Sequence, residues 1–273
     1  EKKYHCAILV PEESPLPVIY REKFYEFFTY NDLHQGINTL DREHYQLVLI
    51  LSNTAISLSP LFLEKIYNAY DAGIQAIQLH TVIENRKGFC NRFRAICKEI
   101  KNSLFRAGNT QFGLSSNLSG TNIAIDLEWL QNNLRSSKTN IERKLFRKNV
   151  YIDYLPDAIV YCQSSPVHPY RRRLRKTASY FFPSLLEGNW NFCNRIVQHL
   201  IPSPLKMCIF VSVWTLLITG YNWALSIGWW LILFGLLVTY SLAIPDYLVE
   251  DKKKKHSIWR KRHLSNELKK NPV

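Results

Sequence analysis

The chain has 273 residues, of which 35 are Lys or Arg and 22 are Asp or Glu, so its formal net charge is +13. A hydrophobic content of 47% with a charged content of 21% excludes disordered, collagenous and low-complexity proteins. A chain of this length forms one or two domains. Its apolar residues are unevenly spread, because residues 207–245 contain no Asp, Glu, Lys or Arg. We therefore expect a polar domain followed by a membrane-inserted segment.

Residues 1–165 alternate short apolar runs with amphipathic segments. The runs that we predict to be strands covered on both faces are Cys6–Val10, Gln46–Leu51, Ala76–Leu79, Asn122–Ile125, Val150–Tyr154 and Ala158–Tyr161. Between them we predict helices at Ser59–Gly73 and Phe89–Phe105, and two more that Asp126 and Asn140 cap. This alternation predicts an α/β domain with a mainly parallel sheet, whose ligands bind beyond the carboxyl ends of the strands.

The next two segments predict membrane association. Residues 166–203 mix aromatic and apolar side chains with Arg and Asn, a composition typical of helices lying in the membrane interface. Within residues 204–245, the sequence Gly220-Tyr221-Asn222 divides two predicted spanning helices, a short one at Pro204–Tyr221 and a longer one at Ala224–Ile244. The alternative, a hydrophobic hairpin buried in a soluble domain, needs a much larger protein to cover it.

Basic clusters flank this predicted hairpin on both sides. Arg171, Arg172 and Arg173 precede it, and residues 250–273 of the tail carry nine cations against three acids. Positive flanks predict that the polar domain and the tail, residues 246–273, lie on the cytoplasmic side of the inner membrane. Anionic lipid headgroups explain the clusters, so we expect the lipid bilayer, and not nucleic acid, as a partner. The six cysteines form no C-x-x-C pair and are expected to be free thiols.

Four stretches of the chain point to one family. They are Tyr45–Leu63, Gly73–His80 with Asn85, Ser119–Asn122, and Ser137–Lys148 with Tyr170–Leu174. They resemble parts of the membrane-bound glycosyltransferase family 2. In order, these parts are the metal-binding strand and loop, the donor-side strand, the acceptor-side turn, and the places of the Glu-Asp and Gln-x-x-Arg-Trp motifs. The resemblance spans roughly residues 30–244. It implies a shortened nucleotide-sugar-transferase-like (Rossmann-like) sheet domain, followed by interfacial helices and a C-terminal transmembrane hairpin.

The functional residues of that family do not carry over. The positions of its Asp-x-Asp motif hold Asn53, Thr54 and Ala55, and an amide and a methyl group cannot replace the carboxylates that hold a divalent cation. The catalytic-base position holds Asn140, whose amide is not basic near neutral pH. Arg173 keeps the arginine of Gln-x-x-Arg-Trp. We therefore expect no metal site and no cofactor.

The nucleotide-binding half-unit of the family also lacks room. Only a short linker separates Val10-Pro11 from the segment Phe24–Leu40, whereas a βαβ unit needs about 30 residues. The sequence thus predicts that this half-unit, with its second strand, is absent.

Three hypotheses follow. The first is a non-catalytic scaffold or regulatory subunit beside an active glycosyltransferase in glycan or polysaccharide assembly. The second is a divergent metal-independent glycosyltransferase, which needs a replacement base among Glu142, Asp153 and Asp157 and uses Arg171–Arg173 to hold the diphosphate of its donor. Only this second hypothesis implies a UDP-sugar, with Mg²⁺ or Mn²⁺ as a possible companion. The third is a lipid- or glycan-binding module built on the interfacial helices. His80 is interpreted as a loop or core histidine.

Overall fold

The computed structural model describes residues 4–12, 14–19, 24–134, 140–164, 179–200, 203–245 and 248. The chain divides into two compact units, one of Glu1–Ala95 with Leu104–Pro202 and one of Ile96–Ser103 with Ser203–Val273. The predicted boundary at residue 165 and the basic cluster Arg171–Arg173 lie outside the described residues, as does nearly all of the tail from residue 246.

The first unit contains one mixed sheet of seven strands. They are β1 Cys6–Pro11, β2 Tyr25–Tyr30, β3 Leu47–Ile50, β4 Ala55–Leu58, β5 Ala76–Ile83, β6 Ile123–Asp126 and β7 Ile152–Cys162, in the order β2-β1-β3-β6-β5-β7-β4. β1 pairs in parallel with β2 and β3, and β5 pairs in parallel with β7. β6 is antiparallel to β3 and β5, and β4 is antiparallel to β7. Five strands therefore run in one direction, and their carboxyl ends define one edge of the sheet, called here the carboxyl edge.

Helices cover both faces of this sheet. The helical elements of the first unit are α1 Leu33–Asn38, α2 Phe62–Asp71, the start of α3 Phe89–Lys101, the end of a π-helix Asn102–Ala107, α4 Gly108–Gln111, α5 Leu127–Asn133, α6 Ile141–Arg147, α7 Phe181–Leu186 and α8 Trp190–Leu200. Alternate residues of β1 join opposite layers: Ile8 packs in the cluster that contains α2, and Leu9 in the cluster that contains α1, α5, α6 and α8. The predicted doubly covered α/β sheet is confirmed.

Two helix starts were predicted from capping residues, and both are confirmed. The Asp126 carboxylate accepts a hydrogen bond from the Trp129 amide at 2.7 Å, which begins α5. The Asn140 side chain accepts one from the Arg143 amide at 3.1 Å, which begins α6. Each oxygen satisfies a backbone N–H that the first turn of a helix leaves without a partner.

Several predicted boundaries were wrong for local reasons. α2 begins at Phe62 rather than at Ser59-Pro60, because Leu61 has a left-handed backbone with a φ of 55°. The runs predicted as two strands at Val150–Tyr154 and Ala158–Tyr161 form the single strand β7. Helical structure after Phe89 also continues beyond the predicted end at Phe105, through the π-helix and α4.

The expectation that the chain lacks room for a second parallel strand is also wrong. β2 lies beside β1 with Cys6 paired to Tyr25. The described part of the connection between them contains no helix; instead Val18 bridges Ser57 of β4, and Ile19 packs against the α2 layer. An extended segment thus covers the sheet where a longer crossover would carry a helix, which is why a second parallel strand fits into so few residues.

The second unit contains a helical hairpin of α9 Pro204–Tyr221 and α10 Trp223–Leu242. The predicted break is confirmed: the Asn222 amide donates to the Ile218 carbonyl at 2.8 Å, and its side chain accepts from the Ala224 amide at 3.0 Å. Within the hairpin, the indole N–H of Trp230 donates to the Thr219 hydroxyl at 3.2 Å. α10 is long and apolar enough to cross a membrane, whereas the apolar part of α9 is shorter.

Candidate functional site

A buried asparagine ties together the strand ends at the carboxyl edge. Asn122 precedes β6, is fully buried and has a left-handed φ of 56°, a conformation that Asn tolerates better than most residues. Its side-chain oxygen accepts from the Ser52 amide after β3 at 2.9 Å, and its amide donates to the Thr81 hydroxyl of β5 at 2.9 Å. These bonds fix the loop after β3, where the family resemblance places a metal site.

That loop, residues 52–55, offers no carboxylate. The Thr54 hydroxyl donates to the Ser164 carbonyl at 3.1 Å, and the Thr54 carbonyl accepts from the Gln163 amide at 2.8 Å, so its polar groups bind the end of β7. Asn53 is exposed, whereas Ala55 is 2% exposed and begins β4. Among the described residues, no group of three or more His, Cys, Asp or Glu is placed to hold a metal ion. The donor set of this loop therefore does not fit a hard divalent cation, which prefers several carboxylate oxygens.

A small polar cavity of about 180 Å³ also opens at this edge, lined by Ile83, Asn85, Asn91, Arg94, Gln163 and Ser164. Its lining presents amides and one guanidinium, groups that can hydrogen-bond a polar or anionic ligand. Sequence reasoning identified Asn85 but not Asn91, Arg94 or Gln163. The signal that could have found Gln163 is its position directly after a buried strand. Glu84, at the end of β5 and exposed, was missed in the same way.

Glu142, the first of the candidate replacement bases, makes structural contacts through one carboxylate oxygen. Its Oε1 lies 2.6 Å from Nη2 of Arg195 on α8, and both side chains are largely buried, with 14% and 13% of their surfaces exposed. The same oxygen accepts a hydrogen bond from the Leu118 amide at 3.1 Å. The carboxylate thereby joins α6, α8 and the loop before β6.

The remaining candidate residues lie elsewhere. Asp153 and Asp157 line a groove of about 380 Å³ between α2 and β7. Asp153 is near the start of β7 and pairs with Ile77 of β5, six residues before Ile83, which pairs with Cys162, so it lies about 20 Å along the sheet from the carboxyl edge. The imidazole Nδ1 of His80 hydrogen-bonds the Tyr154 hydroxyl across β5 and β7, as suits a histidine with a structural role. The contacts of Arg171, Arg172 and Arg173 fall outside the described residues.

Comparison with known proteins identifies the family of this chain. The chain matches the family model described as glycosyl transferase family group 2 over residues 47–242. No curated protein matches it. Among solved structures, it is similar to the mannosyltransferase PcManGT from Pyrobaculum calidifontis in complex with GDP-Man and Mn²⁺, with 14% identity, a TM-score of 0.41, and coverage of 88% of this chain and 87% of that one. Because the family model spans most of its length, the chain belongs to glycosyl transferase family group 2.

Proposed function

We propose that this protein is a non-catalytic member of the family, a scaffold or regulatory subunit beside an active glycosyltransferase in glycan or polysaccharide assembly. The observation that supports the proposal is the loop at residues 52–55, where the exposed Asn53 and the buried Ala55 stand at the positions that the family resemblance assigns to the Asp-x-Asp motif. Carboxylates at those positions would hold the cation that neutralises a departing diphosphate. No cofactor is expected.

The candidate base positions support the same proposal. Asn140 uses its side-chain oxygen to cap α6, and an amide does not accept a proton from an attacking hydroxyl near neutral pH. Glu142 is bound by Arg195 and the Leu118 amide. Both side chains therefore hold contacts that stabilise the fold, which supports a structural rather than a catalytic role.

The proposed location is the inner (cytoplasmic) membrane. α10 is long and apolar enough to cross a bilayer, and α9 would cross with it as a hairpin whose tip is Asn222. The basic residues on both flanks would hold the polar domain and the tail on the cytoplasmic side. A partner transferase would then meet this chain either in the bilayer or at its cytoplasmic surface.

Calorimetric titration of the detergent-purified chain with UDP and a panel of nucleotide sugars, with and without Mn²⁺, tests the proposal. We expect no metal-dependent heat and no sugar transfer, together with co-purification of an active glycosyltransferase. Metal-dependent binding or sugar transfer by the chain alone would refute a non-catalytic role.

The cavity at the carboxyl edge favours one second candidate, a divergent metal-independent glycosyltransferase. Arg94, Asn85 and Gln163 line it, and a guanidinium could stabilise a diphosphate without a metal. This candidate predicts metal-independent binding of a nucleotide sugar that Arg94→Ala abolishes. Arg143→Ala, at a half-buried position of α6 that does not line this cavity, is the matched control and should leave that binding unchanged.

A further inference from the structure

Helix α3 differs from the other long helices of the first unit in its packing. Neither of the two core clusters defined over the described residues contains a residue of α3. Its apolar side chains nevertheless form one stripe, because Phe89, Phe93, Ile96 and Ile100 recur at helical spacing. Phe89 is 83% exposed, and its ring stacks on that of Phe93 with centroids 6.2 Å apart. Phe93 and Ile96 are half-buried and Ile100 is 5% exposed, so the apolar surface that this stripe leaves open to a partner lies at Phe89.

The polar side of the same segment is strongly basic. Residues 86–106 contain seven Lys or Arg and a single acid, Glu99. Arg94 and Lys101 are exposed and lie on the side of the helix away from the apolar stripe. Apolar aromatic residues on one side and cations on the other are the composition of helices that lie in the plane of a membrane interface.

The second half of α3 belongs to the same compact unit as the apolar hairpin. The Cys97 thiol lies close enough to Cys208, in the second turn of α9, to interact with it electrostatically, and burial raises the pKa of Cys97. Cys208 is at the end of the hairpin opposite Asn222, next to the exposed Lys206. Residues 96–103 therefore lie near the start of α9, at the end of the hairpin that carries Lys206.

We propose that α3 lies in the membrane interface and that Lys101, together with Lys206, forms a binding site for anionic phospholipid headgroups. We infer an anionic phospholipid as the ligand because its charge is complementary to the two lysines. Once the hairpin is inserted, its end lies at the depth of the lipid headgroups, where negative charge is concentrated. The Phe89 ring would insert among the upper acyl chains. The inference rests on the proposed insertion of the hairpin into a membrane.

Titration of the detergent-purified full chain with short-chain phosphatidylglycerol, and separately with short-chain phosphatidylcholine, tests the site. Each lysine near an anionic surface contributes about a fivefold preference, so Lys101→Gln/Lys206→Gln should raise the Kd for phosphatidylglycerol about 25-fold and leave phosphatidylcholine unaffected. Arg143→Gln/Lys148→Gln removes the same charge from α6 and its C-cap and should change neither Kd. Equal losses in both variants, or no loss in either, would overturn the proposal.

A depth measurement in nanodiscs provides a second, independent readout. A nitroxide on the exposed Cys90, with Cys97 and Cys208 replaced by Ser, should be more accessible to oxygen than to a polar nickel complex. The same label at Lys148→Cys should show the reverse. Equal nickel accessibility at both sites would place α3 in water and refute the inference. Membrane insertion itself is tested by flotation after an alkaline wash, so failure of insertion and failure of the α3 site are distinguishable.

Discussion

Replacing Glu142 with Ala should destabilise the polar domain by about 2–3 kcal/mol. Removing one partner of a fully buried ion pair costs about 3–5 kcal/mol, because the other charge is left without a partner. The Glu142 and Arg195 side chains keep 14% and 13% of their surfaces exposed, so water would partly solvate the remaining guanidinium and lower that cost. Leu118 is only 5% exposed, and its amide also loses its acceptor, which contributes about 1 kcal/mol of the total.

Unfolding of the detergent-purified protein in guanidinium chloride, followed by far-UV circular dichroism, measures this loss of unfolding free energy. Glu142→Gln is the matched variant: its amide oxygen can still accept from Leu118, so only the charge pair is lost and the cost should be about 1–2 kcal/mol. A double-mutant cycle with Arg195→Met should give a coupling above about 1 kcal/mol. A loss below about 0.5 kcal/mol for Glu142→Ala, typical of a solvated surface pair, would refute the structural role assigned to this carboxylate.

Three further predictions use the same unfolding measurement. A Cβ at Gly36 would lie 2.9 Å from the Tyr30 Cβ, so Gly36→Ala should cost about 1–3 kcal/mol, whereas Gly228→Ala, with open space around it, should cost nothing; equal effects would disprove the close packing. Asn140→Ala should cost about 1 kcal/mol through loss of the α6 cap, and Asn140→Asp, which keeps the cap, only a few tenths. Burial raises the pKa of the Asp153 carboxyl above its ordinary 3.8. Its ionised form therefore opposes folding at neutral pH, and Asp153→Asn should stabilise the chain there. That gain should vanish as the pH falls from the raised pKa to the ordinary value, and a gain that is independent of pH would contradict the burial argument.

The strands that were predictable from the sequence are those buried on both faces. β1, β3, β5 and β6 read as continuous apolar runs because each contributes side chains to both core clusters. β2 was missed because it is an edge strand with the sequence YEFFTY, whose residues are half-buried or exposed. β4 was missed because its four residues directly follow the loop assigned to a metal site.

The candidate site was less predictable than the sheet, because pairing between distant strands assembles it. Asn85 and Gln163 line one cavity only because β5 and β7 run side by side, with Ile83 paired to Cys162 at their ends. The sequence identifies strand ends but not which of them are neighbours. In the same way, no local pattern indicates that Glu142 meets Arg195, since the helices that carry them become neighbours only through their shared core.

The burial of Ala55 opposes a carboxylate at the position that the family resemblance assigns to the Asp-x-Asp motif. Ala55 is 2% exposed and packs in the core cluster with Leu58 and Phe62. An Asp there would place a charge among apolar side chains, and burying an unpaired charge costs several kcal/mol unless a cation or a proton neutralises it. Asn53 is exposed, so an Asp at that position would cost little, but one carboxylate alone binds a divalent ion weakly. Ala55, the buried end of the loop, thus stabilises the core of the sheet. The same packing opposes a metal-binding carboxylate at this position.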